Sequence, residues 1–384
     1  MKIPLAKPYF LPEDAERIKE VLNSGWVVQG PKVSEFETAW SEFTGARHSV
    51  AVSSCTTALH LALIASGIGK GDEVILPSFT WIATANAVEY TGAKPVFCDI
   101  NTDTFNIDST SLAKHISADT KAVIPVHLFG LSADIDSVSE VLGDKNITVI
   151  EDAACGFGAY RNGEHSGLKG RFGCFSFHPR KAITTGEGGM IVTRNEDDAA
   201  ILRQLRDHGA NTEKSSANVP YLLPEFNILG YNYRMTDIQA ALGTAQVRRA
   251  DDILKKRRAI AAKYDIALKD VGFLSLPKVQ TGCIHGYQSY VCMFVSGKMD
   301  INSVDAVSEK RNKFMQYLSD NGISTRPGSH AVHAQKYYSE KYGLNHSDYP
   351  NSYIADRCSV ALPVYPGMTD EEFGHIEEVI KKYK

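Results

Sequence analysis

From Glu13 to about residue 195, short apolar runs alternate with stretches whose apolar residues recur roughly every three to four positions. These are the signatures of buried strands and of the helices that cover them. HSVAVSS (48–54) reads as a strand and runs into TTALHLALIASG, where Leu59, Ala62 and Leu63 recur at helical spacing. DEVILPSFT and WIATANAVEYTG repeat the pair. KPVFCDI, KAVIPVHLFG and ITVIEDAA add three buried-type strands, and FGCFSFHP and GGMIVTR two more with a Gly-rich turn between them. About seven such strands predict an α/β fold, one mostly parallel or mixed sheet flanked by helices on both faces. From Met235 the pattern changes to a long helical stretch, TDIQAALGTAQVRRADDILKKRRAIAAKYDIAL (236–268). The remainder has β runs near YQSYVCMFV and ISTRP and a final helix, DEEFGHIEEVIKKYK, which predicts a smaller α+β domain. The expected division is a large domain over 1–250 and a small C-terminal one over 251–384.

Composition narrows the class without naming a function. The 384 residues are 43% hydrophobic and 22% charged, as in ordinary globular proteins. A net charge of −4 argues against a nucleic-acid coat, although a few local donors can still hold a small anion. The opening MKIPLAKPYFLPEDAERIKE has no apolar signal core and no stretch approaches membrane-spanning length, so a cytoplasmic location away from membranes is expected. The seven cysteines are scattered without CxxC spacing, which fits reduced thiols better than a disulfide scaffold or a metal site. Neither an internal repeat nor a low-complexity tract is visible.

In open α/β sheets ligands collect beyond the carboxyl ends of the strands. Asp152 ends the run ITVIED. A semi-buried carboxylate there is costly without a cationic partner, and a protonated ring nitrogen of a ligand would be one. The plainer reading is a helix N-cap ahead of the AAC segment. Lys181 sits in the turn of FSFHPRKAITTGEGGMIVT. Most loop lysines are solvated charges, but a partly desolvated one can form a Schiff base with an aldehyde. Ser176 offers a hydroxyl nearby, and Gly186, Gly188 and Gly189 permit close backbone approach or positive φ. In VSSCTTALHLAL the N–H groups of Thr56 and Thr57 open a helix and make a natural phosphate cradle, unless capping by Ser54 or Thr56 is their whole purpose. Trp81 follows a strand end, placed either to cover a planar ring or to fill the core.

SSxTTALHLAL, PSFTW, PVHLFG, EDAAxxxGA, FSFHPxKxITTGEGG and GYNYRMTDIQAALG stand here in the order and spacing of the nucleotide-sugar aminotransferases. The chain resembles the DegT/StrS-like family of fold type I pyridoxal-phosphate enzymes over essentially its whole length, from LNSGWVVQGPKVSEFE to ALPVYPGMTDEEF. That resemblance implies a fold type I aminotransferase whose cofactor, pyridoxal 5'-phosphate, alternates with pyridoxamine phosphate. Lys181 would be the Schiff-base lysine and Asp152 the partner of the pyridine nitrogen, with Trp81 on the ring. Thr56, Thr57 and Ser176 would hold the phosphate. Asn232 would reach the cofactor of a neighbouring subunit, making a homodimer with shared sites, and Arg234 has either a phosphate contact or a structural role. Two positions depart from the family pattern: Cys155, where Gln or His often follows EDAA beside the cofactor, and Cys55, where many have Gly. Cys55 fits only if its φ is negative.

The implied reaction moves an amino group from L-glutamate to a keto-sugar nucleotide, for amino sugars of surface polysaccharide such as lipopolysaccharide O-antigen. The RPGSHAVH segment points to a 4-keto-6-deoxyhexose, as in perosamine-type enzymes. A 3-keto sugar or cyclitol ketone is the alternative, and a non-catalytic regulator on the same fold is the rival of another class. His127, Arg326, His330 and His333 are the candidate substrate-side residues. The KKRR run (255–258) reads as a solvated helix face rather than a diphosphate contact.

Overall fold

The seven apolar runs form one sheet. Its strands are β1 (His48–Val52), β2 (Glu73–Pro77), β3 (Lys94–Cys98), β4 (Thr120–Val123), β5 (Thr148–Asp152), β6 (Phe172–Ser176) and β7 (Gly189–Thr193). In space they run β1-β7-β6-β5-β4-β2-β3. Neighbours from β3 to β6 pair in parallel, whereas β7 is antiparallel to both β6 and β1. This is a computed structural model that describes residues 1–211 and 224–383.

Alternation along each strand feeds two separate cores. Val50 and Val52 of β1 pack with Leu59 and Leu63 of helix Cys55–Ala65, while Ala51 joins Phe36 and Trp40 of helix Pro31–Thr44 on the other face. Both faces are therefore covered, as nearly continuous apolar strands require.

A second, antiparallel sheet is built from β8 (Leu274–Ser275), β9 (Tyr290–Phe294) and β10 (Ser359–Leu362), in that spatial order. Helices Val304–Asp320 and Asp370–Lys382 pack on it through Phe314, Leu318, Ile376 and Ile380. The same core takes in Phe79, Val126, Leu128 and Phe129, which lie just past the carboxyl ends of β2 and β4. The short strand Phe79–Thr80 also pairs with His330–Ala331. The second sheet is thus fastened where ligands are expected to collect. Among the described residues, no helix is long and apolar enough to cross a membrane.

Three expectations are corrected. The stretch 236–268 is two helices, Asp237–Val247 and Ala250–Ala267, separated at Arg248–Arg249. Neither glycine nor proline makes the break; Arg249 instead turns to grip both carboxylate oxygens of Asp14 at 2.7 and 2.8 Å. The KKRR run is solvated only in part: Lys255 is exposed, but its two arginines turn inward. Arg257 is buried and donates to the carbonyls of Tyr287 and Gln288, and Arg258 donates to those of His285 and Gly158. The β run at ISTRP reduces to isolated bridges, Ile3 with Ile323 and Arg326 with Ala361. Pro327 has no N–H to extend the ladder.

Candidate active site

The carboxyl ends of β5 and β6, the start of helix Cys55–Ala65 and the segment around Arg326 enclose a cavity of about 230 Å³. Asp152 and Lys181 both line it. Asp152 is 4% exposed and accepts from the Thr84 hydroxyl at 2.7 Å and the Ala154 N–H at 3.1 Å. No helix follows it, so it does not act as a helix N-cap; the Ala154 contact only closes a turn. Both donors are neutral, and the carboxylate has no protein cation within ion-pair reach among the described residues.

Lys181 is half-buried, its Nζ 3.2 Å from the Cys155 Sγ. The turn that carries it depends on glycine at two points. Gly186 has φ +83°, and a Cβ on Gly189 would lie 2.5 Å from the Ser54 carbonyl. The absent side chain lets β7 close against the start of helix Cys55–Ala65. Ser54 caps that helix by accepting from the Thr57 N–H at 3.1 Å, while the Thr57 hydroxyl donates to the Ser54 carbonyl. Thr57 is therefore committed to the cap and does not line the cavity. Thr56 does line it, as does Ser176 at the end of β6. Cys55 is buried with its Sγ 3.4 Å from the Cys174 carbonyl and is not among the residues of positive φ. Burial and then the Asp152 charge push its thiol well up.

Trp81 is 49% exposed on the cavity wall, which excludes a core role. The His330 ring lies 5.5 Å from it and the Arg180 guanidinium 6.0 Å. His330 itself is half-exposed and 3.9 Å from Asp356. Arg326 lines the cavity with a buried Nε that has no hydrogen-bond partner.

None of the three candidate histidines is among the residues that line the cavity, where the histidine present is His178; His330 only neighbours Trp81. His127 is wholly buried, accepts from the Ala133 N–H on Nδ1 and therefore donates from Nε2 to Glu151 at 2.7 Å. Burial alone would raise the Glu151 carboxyl; the His127 bond and the Gly167 and Gly170 amides outweigh it and hold the group low. His333 is buried against Ser78 and His346, and burial pushes it down to about 3. Asn232 is exposed and does not line the cavity of its own chain, and Arg234 pairs with Asp207. Thr84, Arg180, Gln288 and Glu187 line the cavity unforeseen. Arg180 had a signal in its place directly before Lys181, and Glu187 in its place within the GEGG turn.

The profile of the DegT/DnrJ/EryC1/StrS aminotransferase family matches residues 10–381. The chain belongs to that family. It is an aminotransferase of fold type I, and pyridoxal phosphate is its cofactor. It is 37% identical over 381 residues to the spore coat polysaccharide biosynthesis protein SpsC of Bacillus subtilis (strain 168), covering 97% of this chain and 96% of that protein. Spr1654 of Streptococcus pneumoniae, solved in its PLP form, superposes with a TM-score of 0.90 at 28% identity, over 99% of this chain and 98% of that one. PseC of Helicobacter pylori, an aminotransferase involved in the biosynthesis of pseudoaminic acid, gives 0.91 at 25% identity, over 100% and 99%.

The cavity suits this cofactor on its own terms. It offers a buried carboxylate with neutral donors only, a half-buried lysine, an exposed indole and the uncommitted first-turn amides of a helix.

Proposed function

We propose that this aminotransferase moves an amino group from L-glutamate to a nucleotide-linked 4-keto-6-deoxyhexose in the cytoplasm, as a homodimer with shared sites, supplying amino sugar for surface polysaccharide. The observation that carries the reading is Asp152, buried and uncompensated in the same cavity as Lys181. The polysaccharide and pseudoaminic-acid roles of SpsC and PseC support a sugar substrate. The domain boundary at 250/251 belongs to the same reading, supported by the helix break at Arg248–Arg249.

In this assignment Asp152 accepts from the ring nitrogen and keeps it protonated, while Thr84 fixes the carboxylate's orientation. Thr56, Ser176 and the first-turn amides bind the phosphate, with Thr57 supporting them by holding the Ser54 cap. Trp81 covers one face of the ring and keeps water from it, and Cys155 holds the Lys181 amine when that amine is free. Bound, the cofactor supplies a carbonyl that carries the amino group and a cationic ring that takes up the electron pair left on the substrate carbon. The Lys181 amine removes a proton from the donor's α-carbon and, in the second half-reaction, returns one to the former keto carbon of the sugar. Asn232 serves the site of the partner subunit. Arg326, and His330 at the rim, meet the substrate.

The test is an absorbance titration of the loaded protein with L-glutamate, followed by 4-keto and 3-keto sugar nucleotides and a cyclitol ketone. The visible band is expected to disappear with glutamate and return with a 4-keto-6-deoxy sugar nucleotide. Return with the 3-keto sugar or the cyclitol alone would refute the proposed acceptor. Lys181→Ala should abolish turnover, and substantial residual transamination would sink its assignment.

A further inference from the structure

Two guanidinium groups stand at the cavity without an acid to balance them. Arg180 and Arg326 both line it, and neither forms an ion pair among the described residues. Arg326 is the more enclosed: its Nε is buried without a partner, and burial followed by the nearby Arg180 charge lowers its pKa. A buried guanidinium with an unmet donor is costly unless something else supplies the acceptor. The two carboxylates on the same wall do not. Asp152 is not within ion-pair distance of either arginine among the described residues and faces Thr84 and Ala154 instead, and Glu187 is exposed and likewise beyond ion-pair distance of both.

The backbones carrying the two groups are fixed from different sides. The Arg180 carbonyl accepts from Gln288 Nε2 at 3.1 Å, and its N–H donates to His178 Nδ1 at 3.2 Å. The Arg326 carbonyl accepts from the Ala361 N–H of β10 at 2.8 Å. One cation therefore comes from the β6–β7 turn and the other from the strand system of the second sheet. Arg180 directly precedes Lys181, so an anion held by it is fixed in relation to the reacting amine.

We infer that Arg180 and Arg326 form one dianion site, filled in turn by the two carboxylates of a dicarboxylic amino donor and by the diphosphate of the sugar nucleotide. The alternation rests on the function proposed above; the dianion site itself does not. A single carboxylate satisfies one guanidinium and leaves the other uncompensated, whereas a dianion satisfies both with charge-assisted bonds. Because both substrates then present two negative charges, one pair of arginines serves each half-reaction. Arg180, exposed at the mouth, sets the preference for a second charge.

The test is calorimetry on cofactor-loaded enzyme with glutarate, butyrate and inorganic pyrophosphate, none of which can be transaminated. Glutarate is expected to bind at least about tenfold more tightly than butyrate, the worth of one charge-assisted bond. Arg180→Met should erase that preference, bringing glutarate down to the affinity of butyrate, and Arg180→Lys should keep part of it. Pyrophosphate should compete with glutarate. Equal affinities in the unaltered enzyme, a preference that survives Arg180→Met, or simultaneous binding of glutarate and pyrophosphate would each overturn the inference. Arg326→Met should weaken all three ligands; if that buried change prevents folding, the exposed Arg180 variants still decide. Loading is read separately from the visible band, so failure of the transamination reading is distinguishable from failure of this one.

Discussion

Asp152 takes its two contacts from a hydroxyl and an amide, so its negative charge stays available to a ligand cation. The Thr84 hydroxyl orients it and is itself 3.1 Å from the Thr80 hydroxyl. Thr84→Val keeps the shape and removes the donor. A hydrogen bond to a charged group contributes roughly 1.5–3 kcal/mol, so cofactor affinity in this variant should fall by about tenfold or more. An absorbance titration of cofactor binding checks this, and unchanged affinity would mean Asp152 needs no orienting partner. The place of Asp152, Lys181 and Trp81 at the cavity was legible in the sequence because each lies at or just past a strand end, where an α/β sheet delivers its ligand contacts. Thr84 was not, since it meets Asp152 only through the packing of helix Ile82–Tyr90 against the sheet. His127 follows a strand end too, yet the chain turns its ring inward onto Glu151. Position along a strand gives the address of a side chain; its direction depends on partners far away in sequence.

The same limit appears among the elements. The strands of the large sheet were legible because burial on both faces leaves continuous apolar runs. The break at Arg248–Arg249 has no glycine or proline to mark it, only the acidic pair Asp251 and Asp252 that opens the next helix, and it is held by Asp14 near the other end of the chain. The basic run after it misled for a related reason: Arg257 lies on the inner face of helix Ala250–Ala267 and binds two carbonyls of the 287–288 segment. Arg257→Ala would leave both carbonyls buried without those donors, at a cost of about 2–4 kcal/mol. Lys255→Ala, on an exposed position of the same helix, should stay within about 0.5 kcal/mol. Urea unfolding of the two variants measures the difference, and equal costs would return the whole run to the solvent. Since Gln288 also holds the Arg180 carbonyl, loosening this segment should reach the cavity.

At the scale of the whole molecule, one chain leaves Asn232 and a row of large apolar side chains in solvent. Trp26 is 56% exposed, Val28 57% and Leu229 84%, and the Val28 carbonyl accepts from the Asp237 N–H just beyond Asn232. Apolar exposure grouped around one segment marks a surface that another protein covers. In the proposed homodimer the cover is a second copy, and Asn232 then serves its partner's site. This arrangement makes a quantitative prediction. Lys181→Ala and Asn232→Ala should each be severely impaired alone. In a mixed dimer, one site combines the Lys181 of one subunit with the Asn232 of the other and is intact, while the second site lacks both. Random two-fold pairing makes half the dimers mixed, so co-refolding equal amounts should restore about a quarter of the unaltered activity. Turnover measured before and after co-refolding reads this directly. Activity that stays at the mean of the two separate variants would mean that each subunit builds its site alone, and Asn232 would then need another explanation for its exposure.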